Sequence, residues 1–201
     1  MAPLEHADLS SVAGYHSNDM VVRAEGRAYV GNFGYNHQTE PEGKTVGLAW
    51  VDSDRSAYRA ATGLKFPNEN VITPDGNSLV VGETGGNRLT ARDIGTDGRL
   101  SNRCVWADLG QNFPDSICLD GEGAIWIADP RPKETIRVRE SGNVTHRIPT
   151  GDLSSYTCVL GGDDSKTQSV CTAVGSGPGA TKARKGRIEY CRVEVPGAGR
   201  P

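Results

Sequence analysis

FPDSICLDGEGAIWIADP, residues 113–130, is the stretch whose reading decides the fold class. An acid, Asp115, follows a proline; then come a run of β-formers (Ile117, Cys118, Leu119), a tight turn over Asp120 to Gly123, and a second such run (Ile125, Trp126, Ile127). Two short apolar runs joined by a glycine turn make a β-hairpin, here headed by a carboxylate. Two earlier segments match it position by position: NDMVVRAEGRAYVGNF from Asn18 and NENVITPDGNSLVVGET from Asn68. In each copy a glycine stands eight places after the leading residue: Gly26, Gly76 and Gly123. A weaker fourth copy, YTCVLGGDDSKTQSVCTA, starts at Tyr156 and carries Asp164 where the glycine would be. The leaders lie 50, 47 and 41 residues apart, the period of β-propeller blades. The expected fold is therefore all-β: a single β-propeller domain over residues 1–201, with about four blades in an incomplete ring and repeats starting near 18, 68, 115 and 156.

In a propeller the first strand of every blade lines the central channel, so leaders far apart in sequence meet there. Asn18, Asn68 and Asp115 are expected to face one another. Oxygen ligands without histidine or cysteine suit a hard cation, Ca²⁺ or Mg²⁺, with Mn²⁺ as a further choice. The competing account is that Asn and Asp only start strands and cap turns. Asn32, Glu83 and Asp129 share a place at the end of the second strand of each copy and are expected to serve turns rather than the channel. Trp50, Trp106 and Trp126 are expected to fill gaps between blades.

Composition agrees with this class. Twenty-six glycines and 11 prolines mark many turns, and there is little long helical periodicity. A net charge of −3 points to neither nucleic-acid nor membrane partners. No run of about 18 apolar residues occurs, and MAPLEHADLS lacks both a basic and an apolar leader region, so a soluble, cytoplasmic chain is expected. The five cysteines are odd in number and scattered without a C-x-x-C pair, which argues against a zinc cluster or a disulfide framework. Cys118 and Cys158 fall in strand-like runs and are expected to be small buried apolar residues. Residues 3–10 read as the outer strand of a preceding blade, 35–44 as a polar loop with a solvated His37, 175–186 as a mobile connection, and the terminal PGAGRP as a tail.

The motifs HADLS, NDMVV, FPNENVITPDG, GETGGNRL, SNRCVWADLG, FPDSICLDGEGAIWIAD and GRIEYCRVEVPGAGRP, in that order, resemble the regucalcin/gluconolactonase family, also called senescence marker protein-like lactonases. The resemblance implies a six-bladed propeller with one divalent cation in the channel, Ca²⁺ first, with Zn²⁺, Mg²⁺ and Mn²⁺ as alternatives. It implies Asn68 and Asp115 as metal ligands, Asp115 also as general base, and Asn18 as a substrate-side amide. His16 stands where some members carry an arginine for substrate. The family's first-blade glutamate ligand has no counterpart, so the chain resembles the last four blades of six. Glycines of the family motifs are replaced by Met20, Glu69 and Ser116.

The implied activity is metal-dependent opening of a small-molecule lactone to a hydroxy acid. With one charged ligand in the expected set, weak metal binding and weak activity are expected of this polypeptide, and missing blades or self-association are expected to close the ring. Two alternatives stand beside this reading: a non-catalytic calcium-binding or interaction propeller, and an organophosphate or aryl esterase on the same metal site.

Overall fold

The structure, a computed structural model, describes residues 4–36, 39–40 and 44–199; His37 lies outside them. The chain folds into four antiparallel sheets, each a meander. The first holds β1 (Ser17–Val22), β2 (Ala28–Asn32), β3 (Thr45–Val51) and β4 (Ala57–Lys65). The second holds β5 (Pro67–Ile72), β6 (Ser78–Glu83), β7 (Arg88–Ile94) and β8 (Leu100–Asp108). The third holds β9 (Ile117–Leu119), β10 (Ile125–Asp129), β11 (Glu134–Val138) and β12 (Val144–Pro149). The fourth has three strands, β13 (Ser154–Gly161), β14 (Thr167–Ala173) and β15 (Arg187–Arg192). These are four blades of a propeller, an incomplete ring, as the repeat period implies.

The repeat's glycine signal has a backbone cause. Gly26, Gly76 and Gly123 each close the turn between the first two strands of a blade at φ +84°, +73° and +77°. Each donates its amide to the carbonyl three residues back, at 2.8–3.0 Å; a left-handed φ at that place favours glycine. In the fourth blade the left-handed residue is Ser165 (φ +56°), not Asp164. β13 carries an extra residue near its start, where Ser155 faces Thr172 but Thr157 already faces Cys171, and the later turn follows from the hairpin beyond it, which runs on to Gly161 facing Thr167.

Blade-to-blade packing supplies the core. Tyr29, Leu48 and Leu64 of the first blade meet Leu79 and Val81 of the second. Val71, Val80 and Leu89 meet Ile117, Ile125 and Ile127 across the next interface, and Trp126 of the third packs on Cys158 and Val170 of the fourth. Trp126 is 2% exposed; Trp50 and Trp106 are partly buried against neighbouring clusters, as the gap-filling role requires. His146, on outer strand β12, lies against the Trp126 ring.

Two expectations are corrected, at the first and last described segments, and the largely exposed 175–186 connection gains detail. Residues 4–9 form no strand; instead Ala7, Leu9 and Val12 lay apolar side chains on Val30, Ala49 and Val51 of the first blade. The 175–186 connection holds a short helix, α1 (Pro178–Ala183), started by a proline at its first turn. The terminal segment is bonded in place: Gly121 donates to Pro196 at 2.7 Å, Gly197 to Ser165 at 2.8 Å and Ala198 to Leu119 at 3.1 Å. On the fourth blade's far face Val159, Ile188 and Tyr190 are exposed. Among the described residues, no helix is long and apolar enough to cross a membrane.

Candidate active site

The inner strands begin with irregular pairs. Ser17 faces Asn32 and Met20 faces Val30, so Asn18–Asp19 carries one residue too many; Asn68–Glu69 does the same between Pro67 and Asn70. At the third blade both Asp115 and Ser116 bond to Ala128. Such bulges re-aim side chains and bring two neighbours, rather than one, to the same side. The second member of each pair escapes a reading based on strict alternation.

Asn68 and Asp115 meet, although 47 residues separate them: the Asn68 amide nitrogen donates to Asp115 Oδ1. Its other hydrogen goes to Thr84 Oγ1 at 3.2 Å, and Thr84 in turn donates to the Pro114 carbonyl. With both amide hydrogens used, the carbonyl oxygen is the atom Asn68 has to offer a ligand. Beside this contact runs a second one. Glu69 accepts from Ser116 Oγ and, at 2.9 Å, from the Ile117 amide. The residues that follow Asn68 and Asp115 thus bond to each other across the interface between the second and third blades.

The electrostatics of this cluster are unbalanced. Burial pushes the Asp115 carboxyl up to about 6, opposed by the Asn68 hydrogen bond and aided by the charges of Asp19 and Asp129. Burial likewise pushes Glu69 up to about 7 against the bonds from Ser116 and Ile117, with Asp19 and Asp115 adding repulsion. Asp19 is itself raised by desolvation. Among the described residues no lysine or arginine pairs with any of the three.

Asn18 sits on β1, which packs beside β5, and its buried amide nitrogen has no partner. His16 is not drawn into the Asn68–Asp115 contact. It is exposed, stacks on Tyr15 with ring centroids 4.0 Å apart and lies 6.1 Å from Phe33. Phe33 stacks on Phe66 at 4.6 Å, and Tyr35 meets Phe66 edge-on. Phe66 is two residues before Asn68, so this aromatic shelf flanks the pair. Sequence reasoning missed the shelf, and also Asp19, Glu69, Ser116 and Thr84; aromatic residues at 15, 33, 35 and 66 have no spacing that announces a common wall.

Asn32, Glu83 and Asp129 do occupy equivalent strand ends, buried and bonded to backbone or ion partners. Asn32 donates to the Gly47 carbonyl at 2.7 Å. Glu83 binds Arg88 and Arg103. Asp129 accepts from the Phe113 and Arg131 amides at 3.0 and 3.3 Å, while burial raises its carboxyl to about 6.

As for a cation, no three His, Cys, Asp or Glu side chains among the described residues converge as a metal site. The donor set around Asp115 is nevertheless all oxygen, acidic and unpaired by basic groups among the described residues, with the carbonyl oxygen as the Asn68 atom that its two donated hydrogen bonds leave over. That chemistry fits a hard divalent ion.

The family-wide sequence pattern described as SMP-30/gluconolactonase/LRE-like region matches residues 3–174. The chain belongs to that family. Its fold is similar to that of solved structures of a luciferin-regenerating enzyme (TM-score 0.78, 16% identity, covering 90% of this chain and 63% of that one) and of regucalcin from Agrobacterium tumefaciens, a calcium-binding protein (0.76, 22%, 97% and 66%). It is also similar to a gluconolactonase from Xanthomonas campestris (0.65, 22%, 90% and 57%). The chain therefore spans 57–66% of the length of these structures.

Proposed function

We propose that this family member takes part in metal-dependent hydrolysis of a small lactone, with Asp115 as general base. The observation that carries the proposal is the Asn68–Asp115 contact: a carboxylate raised to about 6, oriented by an amide and unpaired by any basic side chain. Asn68 and Asp115 would hold the cation, Ca²⁺ first among the hard divalent ions, and Asp19 adds negative charge to that surrounding. When bound, a divalent ion supplies Lewis-acid polarisation of a carbonyl oxygen.

The remaining work falls to the chain's own groups. Beside a bound divalent ion the Asp115 carboxyl would fall from about 6 and stay ionised at neutral pH, the state a base needs to take a proton from an attacking water. Asn68, tied to Thr84 and through it to Pro114, holds the Asp115 carboxylate in one orientation. The unpartnered Asn18 amide is a donor for a ring hydroxyl. His16 and the Phe33–Phe66 stack form an apolar and polar wall on which a sugar ring can rest.

The test is calorimetric calcium titration together with a proton-release assay on gluconolactone. Calcium binding and turnover both lost in Asp115→Ala support the proposal. Turnover unchanged in Asp115→Asn overturns it, and calcium binding without turnover of any lactone assigns the chain to a non-catalytic calcium-binding propeller.

A further inference from the structure

Beside Glu69 the inner strands line a cavity of about 130 Å³, whose walls include Met20, Glu69, Cys118, Cys158 and Ala198. Cys118 on β9 and Cys158 on β13 face each other there, with their sulfur atoms 4.0 Å apart. Among the described residues this is the one thiol–thiol contact: Cys104 and Cys171 are exposed elsewhere, and Cys191 lies against Gln168. The two strands belong to neighbouring blades and their register is held beside the sulfurs. The Cys158 amide donates to Ser116 Oγ at 3.2 Å, and the Cys158 thiol to the Ser116 carbonyl at 3.8 Å.

We infer that Cys118 and Cys158 are an oxidisable dithiol whose disulfide staples the third blade to the fourth inside the channel. A disulfide needs its sulfurs at about 2.05 Å, so closure requires each to move by about 1 Å, within reach of small side-chain rotations. Cys118 is the entry point, being partly exposed where Cys158 is 2% exposed. The cavity has the volume of a few water molecules and admits a peroxide.

With hydrogen peroxide as oxidant, the Cys118 sulfur attacks one peroxide oxygen. The O–O bond breaks, an S–O bond forms, and water leaves with the thiol proton. The Cys158 sulfur then attacks the sulfenic sulfur; the S–S bond forms, the S–O bond breaks, and the hydroxide departs as water with the second thiol proton. The sulfurs lose two electrons and the peroxide gains them. Ser116 lies between this pair and Glu69, so the staple also tightens the wall beneath the candidate active site. The inference does not depend on the proposed lactonase activity.

The experiment treats the full chain with hydrogen peroxide and counts free thiols, with intact mass and non-reducing peptide mapping. Free thiols are expected to fall from five to about three, with a loss of two hydrogens, a cross-linked 118–158 peptide, and reversal by dithiothreitol. The variant lacking the other thiols (Cys104→Ser, Cys171→Ser, Cys191→Ser) keeps both channel cysteines and is expected to form the same cross-link; Cys118→Ser abolishes it. Gain of oxygen without the 118–158 cross-link, or a cross-link through other cysteines or between chains, overturns the inference.

Discussion

The second blade contains two glutamates, Glu69 near the start of β5 and Glu83 at the end of the neighbouring β6, and the protein treats them in opposite ways. Glu83, fully buried, accepts from Arg88 at 3.0 and 2.9 Å, from Arg103 at 3.1 Å, from the Lys65 amide at 2.7 Å and from Thr90. Burial works against its charge, but the bonds from Arg88, Thr90 and Lys65 outweigh it and hold the carboxyl below its ordinary value. Glu69 and its neighbour Asp115 have hydroxyl, amide and backbone partners only, and are raised to about 7 and 6. A buried acid with matched cations is structural support; half-buried acids left without one are the groups placed to meet a ligand. The difference lies in their partners, since Glu83, the most deeply buried of the three, is the one held ionised.

Asp115→Asn should break the comparison most severely on the functional side, with lactone turnover falling about 10²- to 10³-fold and thermal stability at neutral pH unchanged or raised, since an unpaired charge is removed. Kinetics alongside a melting curve check both halves. Glu83→Gln should do the reverse. It leaves Arg88 and Arg103 short of a charged partner, but both reach solvent, so a loss of about 3 kcal/mol is expected in urea unfolding.

The pH dependence of stability should carry both signs. Glu69 and Asp115 bind their protons more tightly folded than unfolded, so their contribution is full below their unfolded values near 4 and is lost as pH rises through about 6 to 7. Glu83 behaves oppositely: its contribution is present above the ordinary 4.5 and is lost as pH falls through its lowered folded value. Unfolding free energies measured from pH 4 to 8 should decline towards neutrality in the parent and decline less in Glu69→Gln, where the Asp115 contribution remains. The smallest effect is expected of Ser116→Ala, about 1 kcal/mol for one hydrogen bond to Glu69, read by the same urea method.

How much of this could be read in the chain differs residue by residue. Asn68 and Asp115 were legible because their copies share one frame, in which the turn glycines stand eight places on. Asp19, Glu69 and Ser116 were not, because a bulge is a property of two paired strands: the extra residue is visible only against Asn32, Glu83 or Ala128 on the partner. His16 carried a motif position but stacks on Tyr15 and lies tilted against Phe33, since neighbouring aromatic rings captured it.

The sequence by itself determined the all-β class, the four repeats and the meeting of Asn68 with Asp115, because strand alternation and left-handed turn glycines are local requirements that every blade must meet. Only the tertiary structure decided which acids are paired, which thiols touch, and that residues 196–198 are bonded across the third and fourth blades. Those outcomes depend on contacts between segments tens of residues apart, where geometry to within an ångström, rather than residue type, sets charge and reactivity.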